Sequence, residues 1–125
     1  MSAATATRPY VLSFEVPFLP PMNSHNTRRH WSFAHREVKR WRSIVIVQRP
    51  RPTAPLQRAL VTFVRLSSRP SDHDSLAYSF KEACDALVHC GIVVDDSPAH
   101  MERVYRWVKA RPRCGRVAIR VEEIA

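Results

Sequence analysis

The chain is short of glycine, with two in 125 residues, and this excludes a low-complexity tail. Cysteine is scarce and odd in number: Cys84, Cys90 and Cys114 share no CxxC spacing. They read as reduced thiols, two of them core filler, and a disulfide framework is not expected. Long apolar runs are missing. The longest aliphatic stretch, Ile44-Val45-Ile46-Val47, is far below the roughly 20 residues that a bilayer span needs. The opening MSAATATRPY has no apolar signal core, so the expectation is a cytoplasmic protein with no membrane association. What is present suits one folded unit: 45% apolar residues and ten prolines that rule out one long helical rod. The reading is a flexible segment over residues 1–9 and a single domain over 10–125.

Acidic residues are also few, 11 against 20 Lys and Arg, and the formal net charge is +9. Their placement is uneven. Residues 1–71 carry a net +10, residues 72–102 a net −6, and residues 103–125 a net +5. Basic flanks favour a polyanion through phosphate contacts and counterion release. An acidic island between them would repel that polyanion unless a cation neutralised it, and clustered carboxylates suit Mg²⁺ or Mn²⁺. The pattern points to chemistry on nucleic acid. A basic, non-catalytic nucleic-acid-binding protein with ordinary surface ion pairs is the competing reading.

Along the chain, residues 10–18 alternate as a first strand ended by prolines. Residues 22–30 form a polar loop. Trp31, Ala34, Val38, Trp41 and Val45 keep helical spacing to about Gln48, with Arg36, Lys39, Arg40 and Arg42 on the opposite side. A Pro-rich connector at 50–55 precedes a strand over 58–66. Leu76, Phe80, Ala83, Cys84, Leu87 and Val88 line one side of a second helix over 75–90, with Gly91 as its cap. A short apolar run, Ile92–Val94, leads to Asp95-Asp96. Residues 103–109 and 116–122 read as strands joined around Pro112 and Gly115, which predicts a terminal hairpin. The order β-α-β-α-(short β)-β-β predicts an α+β fold, a mixed β-sheet with two main helices packed on one face.

Asp72 and Asp74 flank His73 just before the second helix, and residues i and i+2 of an extended segment project to one side. They can share a metal ion. Asp74, Tyr78, Lys81 and Asp85 form a polar helical stripe, from which Lys81 can reach back to a phosphate held by that ion. Asp95-Asp96 lies at the far end of a helix about 24 Å long, and the five steps after Gly91 return at most about 17 Å. Asp96 approaches the site if Ile92–Val94 run back along the helix, or if a second subunit supplies it. Three carboxylates and a lysine would serve phosphodiester hydrolysis, holding one or two metal ions and offsetting phosphate charge. The competing roles are structural: Asp72 or Asp74 as a helix cap, Asp95-Asp96 as a turn pair.

Three segments carry a family resemblance: Arg69-Pro70-Ser71-Asp72-His73-Asp74-Ser75, then Lys81-x-x-x-Asp85-Ala86-Leu87, then Gly91-Ile92-Val93-Val94-Asp95-Asp96-Ser97. Together with Pro20-Pro21-x-Asn23, His30-Trp31 and Trp41-Arg42, they resemble the RusA-like Holliday junction resolvases, especially phage-type members. The resemblance implies a homodimeric, Mg²⁺- or Mn²⁺-dependent endonuclease that makes paired nicks in branched DNA during recombination and repair. It further implies Asp72, Asp74 and Asp96 as metal carboxylates with Asp95 as a neighbour, Lys81 as catalytic lysine, and Arg69 as a phosphate contact. The family's Asn after the second Asp is Ser75 here, and its Arg-rich run before the first Asp is reduced to Arg69-Pro70-Ser71.

The phosphate-contact patch read from charge is Arg28, Arg29, Arg36, Lys39, Arg40 and Arg42. His25, His30 and His35 recur every five residues, share no helical face and match no zinc pattern. Tyr105 and Trp107 alternate, so they share one strand face and serve the core or a dimer interface.

Overall fold

The computed structural model describes residues 9–20 and 31–125. Arg28, Arg29, His25 and His30 lie outside these residues, as does nearly all of the 1–9 segment. Among the described residues, four strands and three helices follow in the order β1 (Val11–Val16), α1 (Trp31–Ile46), β2 (Ala59–Ser67), α2 (His73–Ser79), α3 (Lys81–His89), β3 (Met101–Lys109) and β4 (Arg116–Glu123). The fold is α+β, built on one mixed sheet of order β1-β4-β2-β3. β4 pairs antiparallel with both β1 and β2, while β3 pairs with β2 in parallel. The helical pair α2–α3 is the crossover that a parallel β2–β3 pair requires.

Alternation sets the layers. Leu12, Phe14 and Val16 of β1, Ala59, Val61 and Phe63 of β2, and Val117, Ile119 and Val121 of β4 all point into one core. The helices seal it. Trp41 and Val45 of α1 and Phe80, Ala83 and Leu87 of the second helical unit are fully buried. Phe63 packs against both Phe80, at 4.8 Å, and Tyr105, at 5.4 Å, and those two rings lie 6.2 Å apart, so the three form one cluster that ties the crossover to the sheet. Aromatic pairs at such spacing add to the area they bury.

Three features depart from the sequence reading. The second helix is interrupted at Phe80 (φ −104°, ψ 8°), which ends α2 and opens α3. The apolar spacing passes through the break unchanged, so it carries no trace of it. The terminal hairpin does not form: β3 and β4 flank β2 on either side. Two strand spacings separate them, about 10 Å, which the 110–115 connection spans across the end of β2. The run Ile92–Val94 makes only an isolated parallel bridge, Leu56 with Val93.

The end of α3 decides where the acidic turn falls. Gly91 has φ 79°, a conformation suited to glycine. Its N–H donates to Val88 O at 3.0 Å and the Ile92 N–H to Leu87 O at 2.9 Å. These are the two bonds of a Schellman motif, and Ile92 is buried as the accompanying apolar contact. The chain therefore reverses beneath α3 and delivers Asp95-Asp96 beside it.

Candidate active site

The site is assembled from the start of α2, the exposed side of α3, the 95–97 turn and the inward side of β3. Asp72 is the N-cap of α2: its backbone is extended (φ −78°, ψ 169°) and its Oδ1 accepts from Ser75 N–H at 2.8 Å. Asp74 stands exposed in the first turn, where the helix dipole favours an anion. Between them, the His73 ring packs against Tyr105 at 5.5 Å. Lys81 opens α3 with its side chain in solvent, and Asp85 follows one turn later.

The turn after Val94 is held by its own side chains and by β3. Asp95 Oδ1 accepts from Asp96 N–H at 2.9 Å. A hydrogen bond from the Ser97 side chain, then that backbone bond, draws the Asp95 carboxyl below the usual range. Arg103 Nη2 donates to the Asp96 carbonyl, and its Nε donates to Cys84 Sγ at 3.4 Å. One guanidinium thus links β3, α3 and the turn. Burial is the main cause that raises the Cys84 thiol, which stays protonated in the core. Tyr105 is pushed up to about 12, chiefly by burial.

The carboxyls of Asp85 and Asp96 come into hydrogen-bond contact. Partial burial is the first cause that raises Asp85, followed by the Asp96 charge and that hydrogen bond; Lys81 acts in the opposite direction. In the sequence, Asp85 stands out only through the polar stripe and the Lys-x-x-x-Asp motif. Arg103 does not stand out as a site residue at all. Its one signal is alternation with Tyr105 and Trp107, which places all three on the same side of a strand.

The contacts fix how the acidic segments lie. The first turn of α2 rests on Tyr105, through His73, and the 95–97 turn rests on Arg103. These are successive inward positions of β3, about 7 Å apart along the strand. Both acidic segments therefore border one stretch of β3. Among the described residues, no three of His, Cys, Asp and Glu gather into a group that could hold a metal ion. The close carboxylate pair is Asp85–Asp96, with Asp72 and Asp74 on the neighbouring rung. The donors are all carboxylate oxygens, the chemistry that Mg²⁺ and Mn²⁺ prefer. Mg²⁺ keeps most of its water and needs only one or two carboxylates plus substrate phosphate, so this donor set fits it.

The basic residues divide. Arg36, Lys39 and Arg40 lie exposed on α1, and Arg40 sits over the Phe18 ring, 3.3 Å from its centroid. Arg42 does not belong to that face. It is half-buried, its Nε is enclosed without a hydrogen-bond partner, and its carbonyl accepts from Cys90 Sγ at 3.6 Å. The buried line of α1 is Glu37, Trp41 and Val45, which turns position 42 inward beside the end of α3. Arg69 is exposed just after β2, with its carbonyl accepting from Ser67 Oγ at 2.8 Å. None of the helices, over the described residues, is long and apolar enough to cross a membrane. No family model matches the chain, and no curated protein matches its sequence.

Proposed function

We propose that this chain is a divalent-metal-dependent endonuclease that cuts branched DNA, a Holliday junction resolvase of the RusA-like kind acting as a homodimer. The observation that carries the reading is the shared border on β3. The Asp72–Asp74 segment and the Asp96 turn abut its successive inward positions, with Asp85 meeting Asp96. One or two of Asp74, Asp96 and Asp72, together with substrate phosphate, would hold Mg²⁺ or Mn²⁺, with Asp95 shaping the turn that presents Asp96. The ion, when bound, supplies an activated water and stabilises the leaving oxygen. Lys81 offsets charge on the phosphate, and Arg69 with Arg36, Lys39 and Arg40 holds neighbouring phosphates.

The second reading, a basic nucleic-acid-binding protein without catalysis, draws on a specific observation. The carboxylates of Asp72 and Asp95 both accept backbone N–H bonds, as structural caps do. A nicking assay separates the two. Synthetic four-way junction and linear duplex are incubated with Mg²⁺, Mn²⁺ or chelator, using the wild type, Asp74→Asn and Asp96→Asn. The nuclease reading expects metal-dependent nicks in the junction and a loss of at least about 100-fold in each variant, with junction binding retained. Binding without nicks in any metal, or full activity in both variants, refutes it.

A further inference from the structure

The inward side of β2 reads Ala59, Val61, Phe63, Arg65 and Ser67, which places a guanidinium where the pattern calls for an apolar group. Arg65 is 8% exposed. Its neighbours across the sheet are Trp107 on β3 and Val117 on β4. Nη1 donates to the Pro20 carbonyl at 2.7 Å, and Nε is enclosed with no hydrogen-bond partner. No carboxylate among the described residues forms an ion pair with it. Buried charges in folded proteins are ordinarily paired, and a guanidinium keeps its charge in any environment. Arg65 therefore stands as a buried cation lacking its anion.

Its place in the fold indicates what that anion is. Two residues further along the same side, Ser67 Oγ accepts from Trp107 Nε1 at 2.9 Å and donates to the Arg69 carbonyl at 2.8 Å. These bonds fix the start of the loop that runs to the Asp72 cap. Arg65 lies one inward position below that loop, at the end of β2 nearest the candidate site.

We propose that Arg65 is a phosphate-binding residue, its fork completed by a phosphodiester of bound nucleic acid. The planar guanidinium matches the two free oxygens of a phosphodiester. The nucleic-acid source rests on the nuclease reading; the binding of a phosphate oxyanion at this position does not. Inorganic phosphate fits the same fork and serves as the probe.

The test uses the full chain as wild type, Arg65→Met and Arg65→Lys. Thermal denaturation is followed in inorganic phosphate and in chloride of equal ionic strength, and junction binding is measured against salt without metal. Phosphate is expected to raise the wild-type midpoint above chloride, with the rise absent in Arg65→Met and reduced in Arg65→Lys. In chloride, Arg65→Met should be at least as stable as the wild type, because an unpaired buried charge has been removed. Its junction affinity should fall about 10-fold and its salt slope by about 0.9. The same phosphate rise in Arg65→Met overturns the proposal. So does a marked loss of stability in chloride with unchanged junction affinity, which would make Arg65 a tie to Pro20 and nothing more. If the Met variant does not fold, Arg65→Lys decides: an undiminished phosphate rise and junction affinity overturn the proposal. An Arg65-dependent phosphate rise in a chain that never nicks DNA would sink the nuclease reading and leave this site standing.

Discussion

Asp85 on α3 and Asp96 in the following turn place two carboxyl groups beside one another. The two residues lie on either side of the Gly91 reversal, so the contact exists because the chain doubles back there. Partial burial and the neighbouring Asp96 charge both raise Asp85, which makes that residue sensitive to pH.

The sign follows from the direction of the shift. Asp85 holds its proton more tightly in the folded chain than in the unfolded one, where its ordinary value is 3.8. Its contribution to stability is therefore fully present below the unfolded value and is lost as pH rises through the folded one. Asp85→Asn should raise the melting temperature at pH 7–8 by about 1–3 °C, a modest figure because the group is largely in solvent. The gain should vanish near pH 3.5. Thermal melts of both proteins across that range check it, and a gain that persists undiminished in acid would rule out Asp85 ionisation as its cause.

Asp72 carries two roles that substitution can separate. Asp72→Asn keeps an oxygen that accepts from Ser75 N–H, so the melting temperature should hold within about a degree. Asp72→Ala removes the cap and should cost about 1 kcal/mol, near 4 °C. If the carboxylate works on the phosphodiester, both variants lose junction nicking alike. Nicking that survives in the Asn variant and falls only with stability would assign Asp72 to capping alone.

The division within α1 predicts different salt behaviour for neighbouring cations. Arg36→Ala and Lys39→Ala should each flatten the dependence of junction affinity on salt by about 0.9 in log–log slope. Arg42→Ala should leave the slope as it is, because its guanidinium is partly enclosed and lies near Cys90 at the end of α3. Titrations at four or five salt concentrations suffice. A flatter slope for Arg42→Ala would return that residue to the DNA-facing side.

Elements were legible in the sequence to within a residue or two because the patterns are strong. The alternation through Val61 and Phe63 marked β2, and the spacing of Trp41 and Val45 marked α1. Pairing was not legible. A short connection between two strands ordinarily signals a hairpin, and nothing local to residues 101–123 shows β2 lying between them. The inward turn of Arg42 escaped for a related reason. Glu37 is buried at 7% exposure and shifts the covered side of α1, which a count of apolar residues cannot register. The candidate site was legible as a set of acidic residues, and the meeting of Asp85 with Asp96 was not, since it depends on the bonds that Gly91 makes with Val88 and Ile92 with Leu87.

The position of β4 has a consequence for how the molecule comes into being. The last strand along the chain is wedged between β1 and β2, and Val11 finds its partner at Glu122, at the opposite end of the polypeptide. Such pairing demands closure of a very long loop and slows assembly. Removal of the residues from Arg116 onward would strip β1 of its neighbour and open one edge of β2, leaving only β3 paired with it. The keystone of this sheet is its final piece.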